Sequence, residues 1–368
     1  MIYLDHGATS LTKPRSVAVA MERAVKTCAN PGRGGYPAAM TAARTVLACR
    51  ERAGEMFGCQ PEQVVFTGSC TQGLNIAIRT MVEPGDTVVV SGFEHNAVMR
   101  PLYAIGAKIR VAGRRLFHWE DTLEEFEKSL KSGAKVAVFT HVSNVFGYIL
   151  PVEKMAALCR KYGVPFIVDG AQSAGILPVE PAKWGAEFVA MPGHKGLLGP
   201  QGTGLLICRR EPKPFVYGGT GSLSASYAMP EFLPDRLEAG TLNVPGIAGL
   251  CAGMEWLMQG DMAQRLKRQQ LQVLHCARGL KRLGLTVFTG PHQSGTLSFL
   301  PKGDCEEVAE ALADHGIAVR GGLHCAPLAH ESAGTLESGT VRVSYGPEAG
   351  FGQTGKFLLA MEKIHRNL

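Results

Sequence analysis

Lys195 lies in AEFVAMPGHKGLLGPQGTGLL, where an apolar run ends in Pro-Gly-His-Lys and a glycine-rich turn leads into a second apolar run, GTGLLIC. That layout sets one lysine at the mouth of a buried sheet, where its amine can carry a cofactor aldehyde. A lysine amine of ordinary pKa, ~10.4, is a poor nucleophile until its pKa is lowered or it forms a Schiff base. Three other polar clusters also follow apolar runs. Asp169 ends PFIVD in PFIVDGAQSAG, and a carboxylate placed there is costly to bury without a partner; a protonated pyridine nitrogen would be one. Gln172 follows within a helical turn and can hydrogen-bond a ring oxygen. His95 in SGFEHNAV can stack on a flat ring or move protons. The segment Gly68-Ser69-Cys70-Thr71-Gln72-Gly73 stands between a strand pattern and a helix pattern, where free N–H groups and the positive dipole end favour an anion such as phosphate.

Each cluster alone has a plain structural reading: a helix cap for Thr71 or Asp169, a core histidine for His95, a solvated lysine for Lys195. Together they supply a phosphate site, a pyridinium partner, a ring-oxygen donor and a Schiff-base lysine. Those are the requirements for holding pyridoxal 5'-phosphate.

The elements that must position these groups follow from the apolar rhythm. Strands are expected at 64–67, 87–91, 108–112, 135–140, 165–169, 187–191 and 203–208, several as nearly continuous apolar runs, as in a mostly parallel sheet covered on both faces. Helices are expected at 38–57, 71–81, 121–131 and 152–162. This is a three-layer α/β/α arrangement, assigned to residues 13–245. Beyond it, helices at 246–258, 262–283, 304–315 and 348–365 and strands near 285–289, 295–300, 317–320 and 340–344 form a smaller α+β domain. That domain takes residues 246–368 with the N-terminal segment 1–12 near the junction.

The chain has 368 residues, 45% hydrophobic and 19% charged, as in a globular protein. Its net charge of +6 is thinly spread, with no basic run that argues for nucleic acid. No stretch is apolar enough to cross a membrane, and MIYLDHGATS lacks signal-peptide features. The ten cysteines form no CxxC pair, and most of them, Cys325 excepted, read as small buried residues of a reducing, cytoplasmic protein. His324, Cys325 and His330 alone suggest a metal, but further cysteine ligands are missing nearby, so none is expected. A dinucleotide oxidoreductase is disfavoured because no GxGxxG follows the first strand.

The motifs LDHGAT, TGSCTQGLN, EHNAVMRP, HVSNVFG, PFIVDGAQ, PGHKGLLGPQG, LEAGTLN, RGGLHCAP and VRVSYG span nearly the whole chain. In order and separation they resemble the class V aminotransferase-fold enzymes of the cysteine desulfurase and selenocysteine lyase group, and the Cys325 segment is similar to the SufS-like branch. The resemblance implies the type I fold of pyridoxal phosphate enzymes. It implies that Lys195 binds the cofactor aldehyde, Asp169 pairs with the pyridinium, Gln172 approaches the ring oxygen and His95 stacks on the ring. Cys70, Thr71 and His194 would lie at the phosphate, with Thr241 reaching the phosphate of a neighbouring subunit in a homodimer. Asn144 and Arg342 would hold the substrate carboxylate, with Arg320 close by, and Cys325 would be the nucleophile, its thiolate favoured by Arg320 and His324. The implied reaction converts L-cysteine to L-alanine, leaving a persulfide on Cys325 for a sulfur-acceptor protein. L-selenocysteine as substrate, or aminotransferase or epimerase chemistry on the same fold, are the alternatives. A non-catalytic relative should have lost Lys195 or Asp169. Three departures stand out: His6-Gly7 where many relatives carry Asn-Ala, Pro192 for a phosphate-binding serine, and Cys70 for a frequent threonine.

Overall fold

The computed structural model describes residues 1–32, 34–348 and 350–367. Its strands are β1 (Ile2–Tyr3), β2 (Val64–Thr67), β3 (Thr87–Ser91), β4 (Lys108–Ala112), β5 (Val136–Thr140), β6 (Phe166–Asp169), β7 (Phe188–Pro192), β8 (Gly204–Cys208), β9 (Thr286–Phe288), β10 (Thr296–Leu300), β11 (Ile317–Ala318) and β12 (Val341–Ser344). The large sheet has the order β2-β8-β7-β6-β5-β3-β4. Only β8 runs antiparallel, against both β2 and β7.

The apolar runs are strands because helices cover both faces. On β5, Ala137 and Phe139 enter one core while Val136 and Val138 enter the other. Phe139 is fully buried, edge-on to Phe126 at 5.6 Å and stacked on Phe166 at 5.4 Å. The strands β3, β5, β6 and β7 run parallel, so their carboxyl ends share one rim of the sheet, and the chain order reverses around β3. Ligands gather at such a rim in open α/β sheets.

A third core surrounds β12-β10-β9, with helices Met262–Arg282, Cys305–Asp314 and Phe351–Asn367. The N-terminus joins this unit: Ile2 pairs with Ile317, and Asp5 bridges to Ser344.

Helix Val244–Met258 packs differently from the expectation. Ile247, Leu250, Met254 and Leu257 enter the large-sheet core, not the third one, and the helix lies against Arg15–Thr27 and Pro37–Phe57. Its sequence is apolar nearly all round, as a helix covered on several sides requires. Four further helices, Arg15–Thr27, Asn96–Ile105, Pro181–Trp184 and Pro327–Ala333, are not legible in the pattern; Pro101 lies inside the second, and the last two are short.

Phe139→Ala should destabilise the protein by about 3–5 kcal/mol, since it empties the centre of the aromatic stack. The urea-denaturation midpoint measures this; a loss below about 1 kcal/mol would show that the stack is not a principal support.

Candidate active site

Asp169 closes β6 and is 2% exposed. Its Oδ1 accepts from the Ala171 N–H at 2.8 Å and from the Cys70 thiol at 3.5 Å. Its Oδ2 has no partner among the described residues. Burial and the adjacent Asp169 charge raise the Cys70 pKa well above its ordinary value, so Cys70 stays a thiol that donates to the carboxylate. Its backbone, with that of Thr71, opens helix Cys70–Met81. Ser69 caps that helix by accepting from Gln72 N–H at 3.2 Å. The Cys70 and Thr71 N–H groups have no partner among the described residues, which leaves two donors at the positive end of the helix.

Lys195 sits beyond β7 in the turn that returns through β8. Burial lowers its pKa, partly offset by Cys70 and Asp169. Its amine makes no hydrogen bond or ion pair among the described residues. The turn itself is firmly held. Ser10 Oγ donates to Lys195 O at 2.8 Å, and Ser10 N–H donates to His194 O at 2.9 Å. Gly175, at φ +79°, lies so close that an added Cβ would stand 2.2 Å from Gly196 O. This glycine is required by contact and conformation together. His194 Nδ1 lies 3.0 Å from Thr9 Oγ1, and burial brings its pKa down to about 4.

His95 caps helix Asn96–Ile105, with Nδ1 accepting from Ala97 N–H at 3.0 Å. That bond places the proton of the neutral ring on Nε2. Burial lowers the His95 pKa, against an opposing pull from Asp169. Gln172 Nε2 donates to Gly7 O at 2.9 Å. One cleft is lined by Cys70, Thr71, His95, Asn144, Asp169, Gln172, Pro192, His194 and Lys195. The sheet rim thus brings together eight of the expected site residues.

The other four lie outside that cleft. Cys325 is exposed and lines an adjoining groove with Thr71, His95, Asn96, Arg79 and Arg100. Arg342 is buried behind the cleft, donating from Nη1 to Asn144 O at 3.1 Å and from Nη2 to Asp5 Oδ1 at 2.6 Å. Arg320 donates to Asp5 Oδ2 from Nε at 3.1 Å and from Nη2 at 2.9 Å. Asp5 therefore clamps both arginines, a role the sequence reading did not assign. Thr241 lines a separate cleft with Arg50 and Glu238.

The Cys325 loop is strained. His324 and Cys325 have φ of +53° and +56°, a conformation costing roughly 1–2 kcal/mol per L-residue. Asn144 Nδ2 donates to His324 O, and Asn96 N–H donates to Cys325 O, both at 2.8 Å. The His324 ring does not supply the positive charge that was expected to favour a Cys325 thiolate. Burial, with Arg342 nearby, takes its pKa down to about 2, and its nitrogens point to Arg320 O and to His330.

Glu94 precedes His95 and is fully buried. Its Oε1 accepts from Thr140 N–H at 2.9 Å, from Ser91 N–H at 3.3 Å and from the Ser91 hydroxyl, while Oε2 has no partner. Burial pushes its pKa up to about 8. The native state holds this proton from about pH 4.5 to 8 while the unfolded chain has released it, so the contribution is present below pH 4.5 and lost as pH rises through 8. Glu94→Gln should remove that decline. Relative to the parent protein it should gain stability, on the order of a few kcal/mol, between pH 5 and 8. Urea midpoints across that range test this; a constant difference would mean Glu94 is ionised in the fold.

The aminotransferase class-V family matches residues 2–350. A probable cysteine desulfurase of Pyrococcus abyssi is 31% identical, over 100% of this chain and 95% of its own length. One from Methanothermobacter thermautotrophicus is 32% identical over 92% of this chain and 89% of its own. Among solved structures, an apo cysteine desulfurase from Thermococcus onnurineus NA1 superposes with a TM-score of 0.91 at 32% identity, covering 100% of this chain and 95% of that one.

Proposed function

The chain belongs to the aminotransferase class-V family, and from that premise we propose that it is a pyridoxal phosphate-dependent cysteine desulfurase. The observation that carries this reading is the pairing of two features: a half-buried lysine and a buried carboxylate that line one cleft, and an exposed, strained cysteine in the next groove.

The donor set fits the cofactor. Asp169 keeps Oδ2 unpartnered for a pyridinium nitrogen, and the amine of Lys195 is unpartnered. The Cys70 and Thr71 N–H groups can meet a phosphate, with His194 beside them. Pro192 brings no hydroxyl or N–H there, which places more of the phosphate on the helix start. His95 offers a neutral ring for stacking, and Gln172 keeps a second amide hydrogen. When bound there, pyridoxal phosphate would supply an aldehyde that condenses with amines and a ring that accepts an electron pair.

The chain's own residues do the rest. Lys195 Nζ removes the α-proton of the substrate, a task suited to an amine whose pKa burial has lowered. Arg342, steadied by Asp5 and Asn144, orients the substrate carboxylate with Asn144 and Arg320. The Cys325 thiolate attacks the substrate sulfur. The S–S bond forms as the C–S bond breaks, and the bonding pair stays on the substrate carbon, which takes a proton and leaves as alanine. The exposed Cys325 then passes its persulfide sulfur to an acceptor.

The remaining readings follow from placement. Thr241 does not share a cleft with Lys195 of its own chain, which supports a homodimer in which it reaches the partner's phosphate. The large domain takes 13–258, since helix Val244–Met258 packs in its core, and the small one takes 1–12 and 259–368. All ten cysteines are free, which favours the cytoplasm. No described helix is long and apolar enough to cross a membrane.

Lys195→Ala should abolish borohydride trapping of pyridoxal phosphate on the protein; trapping at an unchanged level would remove Lys195 from its role. Cys325→Ala should keep the cofactor absorbance and lose at least about 100-fold of the alanine and sulfide formed from L-cysteine. Unchanged release would return Cys325 to a structural role, and keto acid without alanine would favour aminotransferase chemistry. Running L-selenocysteine beside L-cysteine separates the two substrates.

A further inference from the structure

Helix Pro327–Ala333 begins two residues after Cys325 and carries His330, which is fully buried against Phe146 at 5.8 Å between ring centroids. A leucine would fill that space without the cost of burying polar atoms, so the imidazole needs partners to be tolerated. Thr335 Oγ1 lies 2.8 Å from His330 Nδ1. His330 Nε2 lies 3.5 Å from His324 Nδ1, a long contact, with the two rings nearly parallel at 9°. His324 Nε2 lies 3.1 Å from Arg320 O.

The proton on each nitrogen follows from these partners. Arg320 O can only accept, so His324 Nε2 carries the hydrogen. Burial keeps His324 neutral, which makes its Nδ1 an acceptor. The group facing that acceptor is His330 Nε2, which must therefore donate. Burial brings the His330 pKa down to about 4, against the pull of the Thr335 and Leu323 carbonyls, and with Nε2 donating, its Nδ1 accepts from the Thr335 hydroxyl. The donors run in one direction: Thr335, His330, His324, Arg320. Arg320 O also accepts from Arg342 N–H at 2.8 Å, so the chain ends on the backbone pairing that carries both arginines.

We propose that His330 is a positioning residue for sulfur transfer: it fixes the tautomer and plane of His324 and so holds the strained Cys325 loop in attacking position. This rests on the reading of Cys325 as the group that takes the sulfur. The backbone bonds from Asn144 and Asn96 anchor the loop from the large-sheet side. The His330–His324 chain anchors it through the His324 ring.

The test uses the holoenzyme with L-cysteine and compares His330→Leu, which cuts the chain, with His330→Gln, whose amide can both donate and accept. For His330→Leu, kcat for alanine should fall about ten-fold while KM stays within about two-fold, because attack geometry is disturbed and carboxylate binding is not. The cofactor absorbance should be unchanged, and His330→Gln should recover at least about a third of kcat. A parental kcat in folded His330→Leu overturns the proposal. So does a His330→Gln variant as slow as His330→Leu, since that marks a purely structural role. If His330→Leu does not fold, Thr335→Val cuts the same chain at its other end: a kcat loss of about three-fold at constant KM supports the proposal, and an unchanged kcat overturns it. Cys325→Ala in the same assay separates the two levels. If it is inactive while His330→Leu is normal, only the positioning role fails; if it still makes alanine and sulfide, the desulfurase reading fails and takes this inference with it.

Discussion

A buried carboxylate and a half-buried lysine share one cleft without pairing with each other, and the rest of the structure is arranged around that constraint. Asp169 and Lys195 line the same space yet form no ion pair. Isolated charges out of water are costly, so each must be held by other means. Asp169 is held by the Ala171 N–H and the Cys70 thiol. Lys195 is held through its backbone, by Ser10 and by the close approach of Gly175 to Gly196. The parallel strands set the two at the same rim, and the antiparallel β8 lets the lysine turn fold straight back. What results is a cleft with an unpartnered carboxylate oxygen and an unpartnered amine in its lining.

The second level of organisation is the joint between the large sheet and the smaller unit. Asp5 reaches from the N-terminus to clamp Arg342 and Arg320, and Asn144 touches both Arg342 and the His324 carbonyl. Breaking a buried pair of this kind typically costs about 3–5 kcal/mol. The same few residues therefore fix the group that would hold the substrate carboxylate and the loop that would accept sulfur. A shift in either domain would disturb both.

Much of this was legible in the sequence because it depends on local pattern. A polar residue directly after an apolar run marks the end of a buried strand, and that rule located Asp169, His95 and the lysine turn. The sheet strands fell within a residue or two of their observed ends for the same reason. What escaped depends on long-range contacts. Asp5 follows a strand of only two residues, and its partners lie more than 300 residues away. His330 has no pattern that separates it from a metal ligand or a core histidine until Thr335 and His324 are seen beside it. Helix Val244–Met258 packs in the large-sheet core, which the sequence does not display, because composition shows that a helix is buried, but not against what. The charge expected from His324 failed because burial, which sequence does not display, keeps its ring neutral.

In the proposed function, the proton chemistry belongs to the Lys195 cleft and the sulfur is accepted in the neighbouring groove. The most direct measurement is to incubate the holoenzyme with L-cysteine, trap it with an alkylating agent without reductant, and map sulfur adducts over all ten cysteines by peptide mass spectrometry. A persulfide trapped on Cys325, with the other cysteines free of it, is the expected result. Alanine formation with the persulfide on a different cysteine, or with none on Cys325, would contradict it.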